Sequence, residues 1–144
     1  MKQIETEVII DVPIDIVWRV IMDFKNYPEW NPFITSIRGQ KKPCKRLQIA
    51  LKTKKGKIMN FEPLVLKCND HDEFRWIGKV GIRGIFDGEH YFALESLGPN
   101  QTRFIHGEFF SGLLLGFMSG LLQDTHESFV LMNEALKLKC ESRL

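Results

Sequence analysis

Cysteine is scarce in this sequence: Cys44, Cys68 and Cys140 are the only three in 144 residues, far apart and without CxxC spacing. That rules out a disulfide scaffold and a zinc site of paired cysteines, and it predicts reduced thiols in a cytoplasmic protein. Charge of one sign is missing too. Lys and Arg number 20 against 18 Asp and Glu, a formal +2, so no nucleic acid partner is expected. There is no hydrophobic run of membrane-spanning length. The longest uncharged stretch, SGLLLGFMSGLLQ, is short and glycine-rich, and stable membrane insertion is not expected. The opening MKQIETEVII mixes charge into its apolar residues and reads as a strand, not as a signal peptide. No GxGxxG follows the first strand, and no P-loop or zinc spacing occurs; no cofactor and no metal are expected.

What is present is ordinary globular material. At 44% hydrophobic and 26% charged, the chain can bury a core, and residues 1–144 fit a single domain. QIETEVIID reads as a strand. In VPIDIVWRVIMDF, Ile14, Val17, Trp18 and Ile21 recur at helical spacing, with Asp11 placed to cap and Pro13 near the first turn. Two prolines in KNYPEWNPF leave room for one helical turn at Tyr27 to Trp30. Six strand-like segments then follow from Phe33 to Phe110, separated by breaker clusters such as QKKPCK, KKGK, NDHD and GPNQ, which makes seven strands in an antiparallel meander. Finally the period changes: Met118, Leu121, Leu122, Thr125, Phe129, Met132 and Leu136 are spaced by threes and fours. They predict a helix of about 24 residues, roughly 36 Å long, able to cover the sheet.

The segment TRFIHGEFF raises a chemical question, because Phe104, His106, Glu108 and Phe110 share one face of a strand. Pairing Glu95 with Arg103 on the solvent side sets Phe92 across from His106 and His90 across from Glu108. A polar cluster of His90, His106 and Glu108 is then expected on an aromatic wall with Trp76, Phe86, Phe92, Phe104 and Phe110, closed from the helix by Met118, Leu122 and Phe129. Three roles fit such a cluster: a buried His90–Glu108 pair that is purely structural, a set of ligand-orienting groups, or an acid–base pair with Glu108 as base and a histidine as acid. The lysines of LQIALKTKKGKI fall opposite Leu47, Ile49 and Leu51, as on a solvated outer face.

The segments VPIDIVWRVIMDFKNYPEWNPFI, GIFDGEHYFALESLG and TRFIHGEFFSGLL resemble the START-like superfamily, also called the SRPBCC or polyketide cyclase/dehydrase and lipid-transport superfamily, from Ile4 to about Leu138. The resemblance implies an α+β helix-grip fold, in which a curved seven-stranded antiparallel sheet wraps a long C-terminal helix over a cavity. It also places Trp30 and Asn31 near the cavity mouth. The function it implies is binding of a small hydrophobic or aromatic ligand, lipid-like or polyketide-like, by a monomer or weak homodimer. The alternatives are a cyclase/dehydrase-type enzyme using the same cavity and a non-catalytic protein whose cavity is filled by its own side chains.

Overall fold

The computed structural model describes residues 1–79, 84, 87–117 and 119–142. The chain begins with β1 (Lys2–Ile10). Its alternate residues Ile4, Thr6 and Ile10 turn inward while Gln3, Glu5 and Glu7 face outward, as a strand with one solvated face requires. Helix α1 (Ile14–Met22) buries Val17, Trp18, Val20 and Ile21. Pro13, not Asp11, is its N-cap, and no side chain caps it. Asp11 is engaged elsewhere: its N–H donates to Glu141 Oε2 at 2.9 Å and its carboxylate accepts from Gln101. A 3-10 turn (Phe24–Asn26) leads into the single turn of α2 (Tyr27–Trp30), which the buried Tyr27 hydroxyl ties to α1 by donating to the Ile21 carbonyl at 2.7 Å.

The strands that follow are β2 (Ile34–Gly39), β3 (Leu47–Lys52), β4 (Ile58–Phe61), β5 (Leu64–Asn69), β6 (Glu73–Lys79), β7 (Asp87–Gly98) and β8 (Gln101–Ser111). The described residues thus form eight strands where the sequence suggests seven. The run KIMNFEPLVLKC is cut at Pro63, which has no N–H for a ladder. The two halves join different antiparallel sheets, β1-β8-β7-β6-β5 and β2-β3-β4. The sheets stay linked at one corner: Leu47 N–H donates to the Pro63 carbonyl at 2.9 Å and Val65 N–H to the Lys45 carbonyl at 2.8 Å.

Helix α3 (Ser119–Glu141) lies across the inner face. Phe129, Met132, Leu136 and Cys140 are fully buried, spaced by threes and fours as an amphipathic helix demands. Three polar contacts fix its direction along β1. Asn133 reaches Thr6, Lys137 donates to the Ile9 carbonyl at 2.7 Å, and Glu141 accepts the Asp11 N–H. Both elements therefore run the same way. No helix among the described residues is long and apolar enough to cross a membrane.

On the outer face, one glycine is needed for close packing. The Tyr91 ring lies over Gly107, where a Cβ would come within 2.3 Å of the phenol and 2.8 Å of the Ile4 carbonyl. The phenol is held there by Glu5, at 2.6 Å, and Gln3, at 2.8 Å. Gly107→Ala should cost about 1–3 kcal/mol by overpacking, read as a lower denaturant midpoint. Adding Tyr91→Leu to that variant should recover most of the loss, and failure to do so would place the strain elsewhere.

Candidate functional site

The β7–β8 register is the one that the Glu95–Arg103 pairing predicts. Glu95 faces Arg103, Phe92 faces His106 and His90 faces Glu108. Arg103 donates to Glu95 at 3.0 Å on the outer surface. Because side chains alternate, His90, Phe92, Phe104, His106, Glu108 and Phe110 all turn toward α3. Trp76 lies opposite His90 on β6, and Ile4 lies opposite Glu108 on β1. These four make one row across the inner face, Trp76–His90–Glu108–Ile4. The next row is Phe74–Phe92–His106–Thr6.

Two fully or nearly fully buried histidines share one hydrogen bond, His90 Nε2 to His106 Nε2 at 2.8 Å. The surrounding network sets their tautomers. Asn133 Nδ2 donates to Thr6 Oγ1 at 2.7 Å and Thr6 Oγ1 donates to the His106 carbonyl at 2.9 Å. Asn133 Oδ1, at 2.9 Å, must therefore accept from His106 Nδ1. That leaves His106 Nε2 as an acceptor, so His90 Nε2 carries the proton and His90 Nδ1 holds a lone pair. Burial keeps both rings neutral: it pushes His106 down to about 3, and burial together with the neighbouring His106 holds His90 well below the ordinary histidine value. Among the described residues His90 Nδ1 is buried with no partner, an omission worth about 1–3 kcal/mol.

This corrects the expectation that His90 and Glu108 satisfy each other. They stand opposite in register, yet no hydrogen bond joins them; His90 bonds His106 instead. Glu108 has no hydrogen-bond or ion-pair partner among the described residues. Part of the residue still reaches solvent, and desolvation by the surrounding protein pushes its carboxyl group up to about 8. The carboxyl group occupies the space that Gly88 leaves by having no side chain: a Cβ on Gly88 would lie 2.1 Å from Glu108 Oε2. Gly78 is the partner of Gly88 on β6, but its side-chain space is already taken by the Phe61 ring, 3.3 Å from where a Cβ would stand, and by Pro63. The shifts run against Glu108 as base and a histidine as acid: burial favours the protonated carboxyl group and the neutral imidazoles near neutral pH.

The other predicted residues divide by location. Phe92, Phe104 and Phe129 are fully buried and fill the middle of the interior: Phe129 stacks on His106 at 3.8 Å and Phe92 packs against Phe104 at 5.5 Å. Trp76 stacks on His90 at 4.3 Å. Leu122 is half-buried on α3, and Met118 and Phe86 lie outside the described residues. Trp30 is half-buried against Tyr27. Asn31 Oδ1 accepts from the N–H groups of Phe33 and Ile34, at 2.9 and 2.8 Å, which makes it the turn former before β2. Asn31 also lines a groove of about 370 Å³ beside Phe33, Lys52, Ser128 and Leu131. Phe33, 5.5 Å from Phe129, separates this groove from the histidines.

Residues 1–130 match the family model described as polyketide cyclase/dehydrase and lipid transport. The chain belongs to that family. Among solved structures it is similar to the Zhui aromatase/cyclase of a Streptomyces species, with a TM-score of 0.80 at 13% identity, covering 99% of this chain and 94% of that one. A START superfamily protein of Mycobacterium smegmatis matches at a TM-score of 0.75 and 19% identity, covering 99% of each chain. At these identities the likeness shows the shared fold. No curated protein matches.

Thr6 and Asn133 were not singled out from the sequence. The signal was there for Asn133, an amide inside the apolar stripe of Phe129, Met132 and Leu136. Thr6 sits likewise on the Ile4–Ile10 face. Gly78 and Gly88 carried none, since a strand glycine looks the same whether or not a neighbour uses its space.

The shifted groups predict how stability depends on pH. Both histidines stay neutral in the fold, so stability falls as pH drops below about 6.5, where they protonate in the unfolded chain. Glu108 keeps its proton in the fold up to about 8 against 4.5 ordinarily, so its contribution is full below 4.5 and declines as pH rises between those values. Stability should peak near pH 6.5 and fall by up to about 1.4 kcal/mol per pH unit on the alkaline side. Urea titrations at pH 5, 6.5 and 8 measure this, and Glu108→Gln should flatten the alkaline limb and steepen the acid one. An alkaline limb unchanged in that variant would contradict the burial of the carboxyl group.

Proposed function

We propose that the protein binds a small, mostly apolar molecule at the end of the inner face where Trp76, His90, Glu108 and Phe110 meet above Gly88. The observation that carries this is the Glu108 carboxyl group, desolvated by its surroundings, without a partner among the described residues and resting on a strand with no side chain at Gly88. A buried polar group without a partner is costly, and a guest that supplies one recovers that cost. The chemistry of the two groups defines the guest. Protonated Glu108 donates a hydrogen bond and His90 Nδ1 accepts one, which suits a molecule with a carbonyl next to a hydroxyl, or a single phenol. Phe92, Phe104 and Phe129 already occupy the middle of the interior, which favours a compact aromatic guest over a long acyl chain.

A neutral phenolic probe such as 2-naphthol should quench tryptophan emission saturably. Gly88→Val, which puts a side chain where the carboxyl group lies, should weaken that binding at least about tenfold. Glu108→Gln, which keeps the shape and a donor, should weaken it only a few fold. Equal binding by the valine variant would sink the placement of the site.

The complementary protonation states favour a second reading, acid–base chemistry in the same place. On a bound β-hydroxyketone, His90 Nδ1 would take the α-proton while Glu108 gave its proton to the departing hydroxyl, releasing water and leaving the enone. Here Glu108→Gln would retain binding and lose about a hundredfold or more in turnover. Enone formation followed by absorbance separates the two readings: none with wild type rejects the second and leaves the first standing.

A further inference from the structure

Away from the inner face, a groove of about 460 Å³ runs between the 3-10 turn with α2 and the end of β2, lined by Phe24, Lys25, Pro28, Ser36, Arg38 and Lys41 among others. Its charge is of one sign. Lys25, Arg38 and Lys41 come from three different segments, and no carboxylate is among the lining residues. None of the three pairs with an acid among the described residues. Other cations of this surface are paired, Arg19 with Asp15, Lys67 with Glu73, Arg75 with Glu73 and Glu89, Arg103 with Glu7 and Glu95, and Lys137 with Glu141, while Lys42, Lys45 and Lys55 likewise have no acid partner among the described residues; what sets the groove apart is that three cations line one concavity with no carboxylate in it. The acid adjacent to the groove, Asp23, has its carboxylate bonded by Asn26 Nδ2 at 2.6 Å. The Lys41 ammonium rests 4.7 Å over the Phe24 ring, so a carbon surface lies directly beneath the charge.

We propose that this groove is a second binding site, separate from the inner face, for a small organic anion: a phosphate or carboxylate ester-sized molecule with an apolar body. Three converging cations with nothing to neutralise them attract an oxyanion and hold it by charge-assisted hydrogen bonds. The volume decides against a bare inorganic ion, since about 300–1,000 Å³ is the range of pockets that hold organic ligands. Phe24, Pro28 and Ile37 supply the carbon wall for the body. Arg38 offers a planar fork and the two lysines offer point charges, a combination that suits the tetrahedral or planar oxygens of an acidic head.

Phenyl phosphate, with phenol and inorganic phosphate as controls, tests the site by titration into the ¹⁵N-labelled protein. Phenyl phosphate should shift the amides of Lys25, Ser36 to Gly39 and Lys41 saturably, while phenol leaves them in place and inorganic phosphate binds more weakly. Raising salt from 50 to 200 mM should weaken binding severalfold. Arg38→Gln and Lys41→Gln, both on exposed positions, should each weaken it about fivefold without changing the thermal midpoint. Amide shifts that are unsaturable, or unchanged in the double variant, overturn the proposal. So does equal response to phenol, which would make the groove apolar in preference rather than anionic.

Discussion

The contact on which the interior depends is the one that Asn133 makes with Thr6 and His106. A carboxamide, a hydroxyl and an imidazole meet between α3, β1 and β8, all buried, and each exchanges hydrogen bonds with the others. Apolar packing alone tolerates sliding, because one leucine can replace another against the same wall. A polar network does not. Turning α3 by one residue would swing Asn133 about 100° around the helix axis and strand three groups at about 1–3 kcal/mol each. The same helix face continues with Lys137 on Ile9 and Glu141 on Asp11, so one periodic set of polar residues fixes how the long helix lies along the first strand.

That constraint also divides the inner face. Around the network the rings close up, with His106 stacked on Phe129 and Trp76 stacked on His90, and no bonding capacity is left over on His106. Among the described residues capacity remains one row further on, at His90 Nδ1 and at the Glu108 carboxyl, which no other group bonds. The polar residues of this face thus divide: one group holds the helix and the other is left unbonded. A protein that used all three as one structural cluster would have joined Glu108 to His90, which stands directly opposite.

Much of this could be read in the amino-acid order, and the reasons are physical. The β7–β8 register follows from one opposite-charge pair, Glu95 and Arg103, because side-chain alternation makes every other position a consequence of it. The long helix announced itself by period. Pairing partners within the cluster could not be read, because register fixes which residues oppose one another but not where a ring nitrogen turns. His90 had two candidate partners across the ladder, His106 and Glu108, and the choice rested on Asn133, 27 positions beyond His106 in the chain. Pro63 was visible, but the weakness of a single proline as a boundary let KIMNFEPLVLKC pass as one strand. Asp11 looked like a cap because its neighbours did; Glu141 and Gln101, which claim it, come from far along the sequence.

Burial acts on both kinds of ionisable group in the same way and gives opposite results. It disfavours the charged form, so an imidazole loses its proton and a carboxylate gains one. Within one row of the inner face this yields a carboxylic acid facing an imidazole base, neither of them charged and neither compensated by a partner ion. Had the two bonded each other, each would have met the other's hydrogen-bonding capacity and the site would have been closed. Keeping them apart, with Glu108 resting on Gly88 and His90 turned to His106, leaves one donor and one acceptor free among the described residues. The difference between a binder and an enzyme built on this pair is then small. It lies in whether the guest that spans the two groups has a hydrogen to give to the base and a leaving oxygen placed to take the proton of the acid.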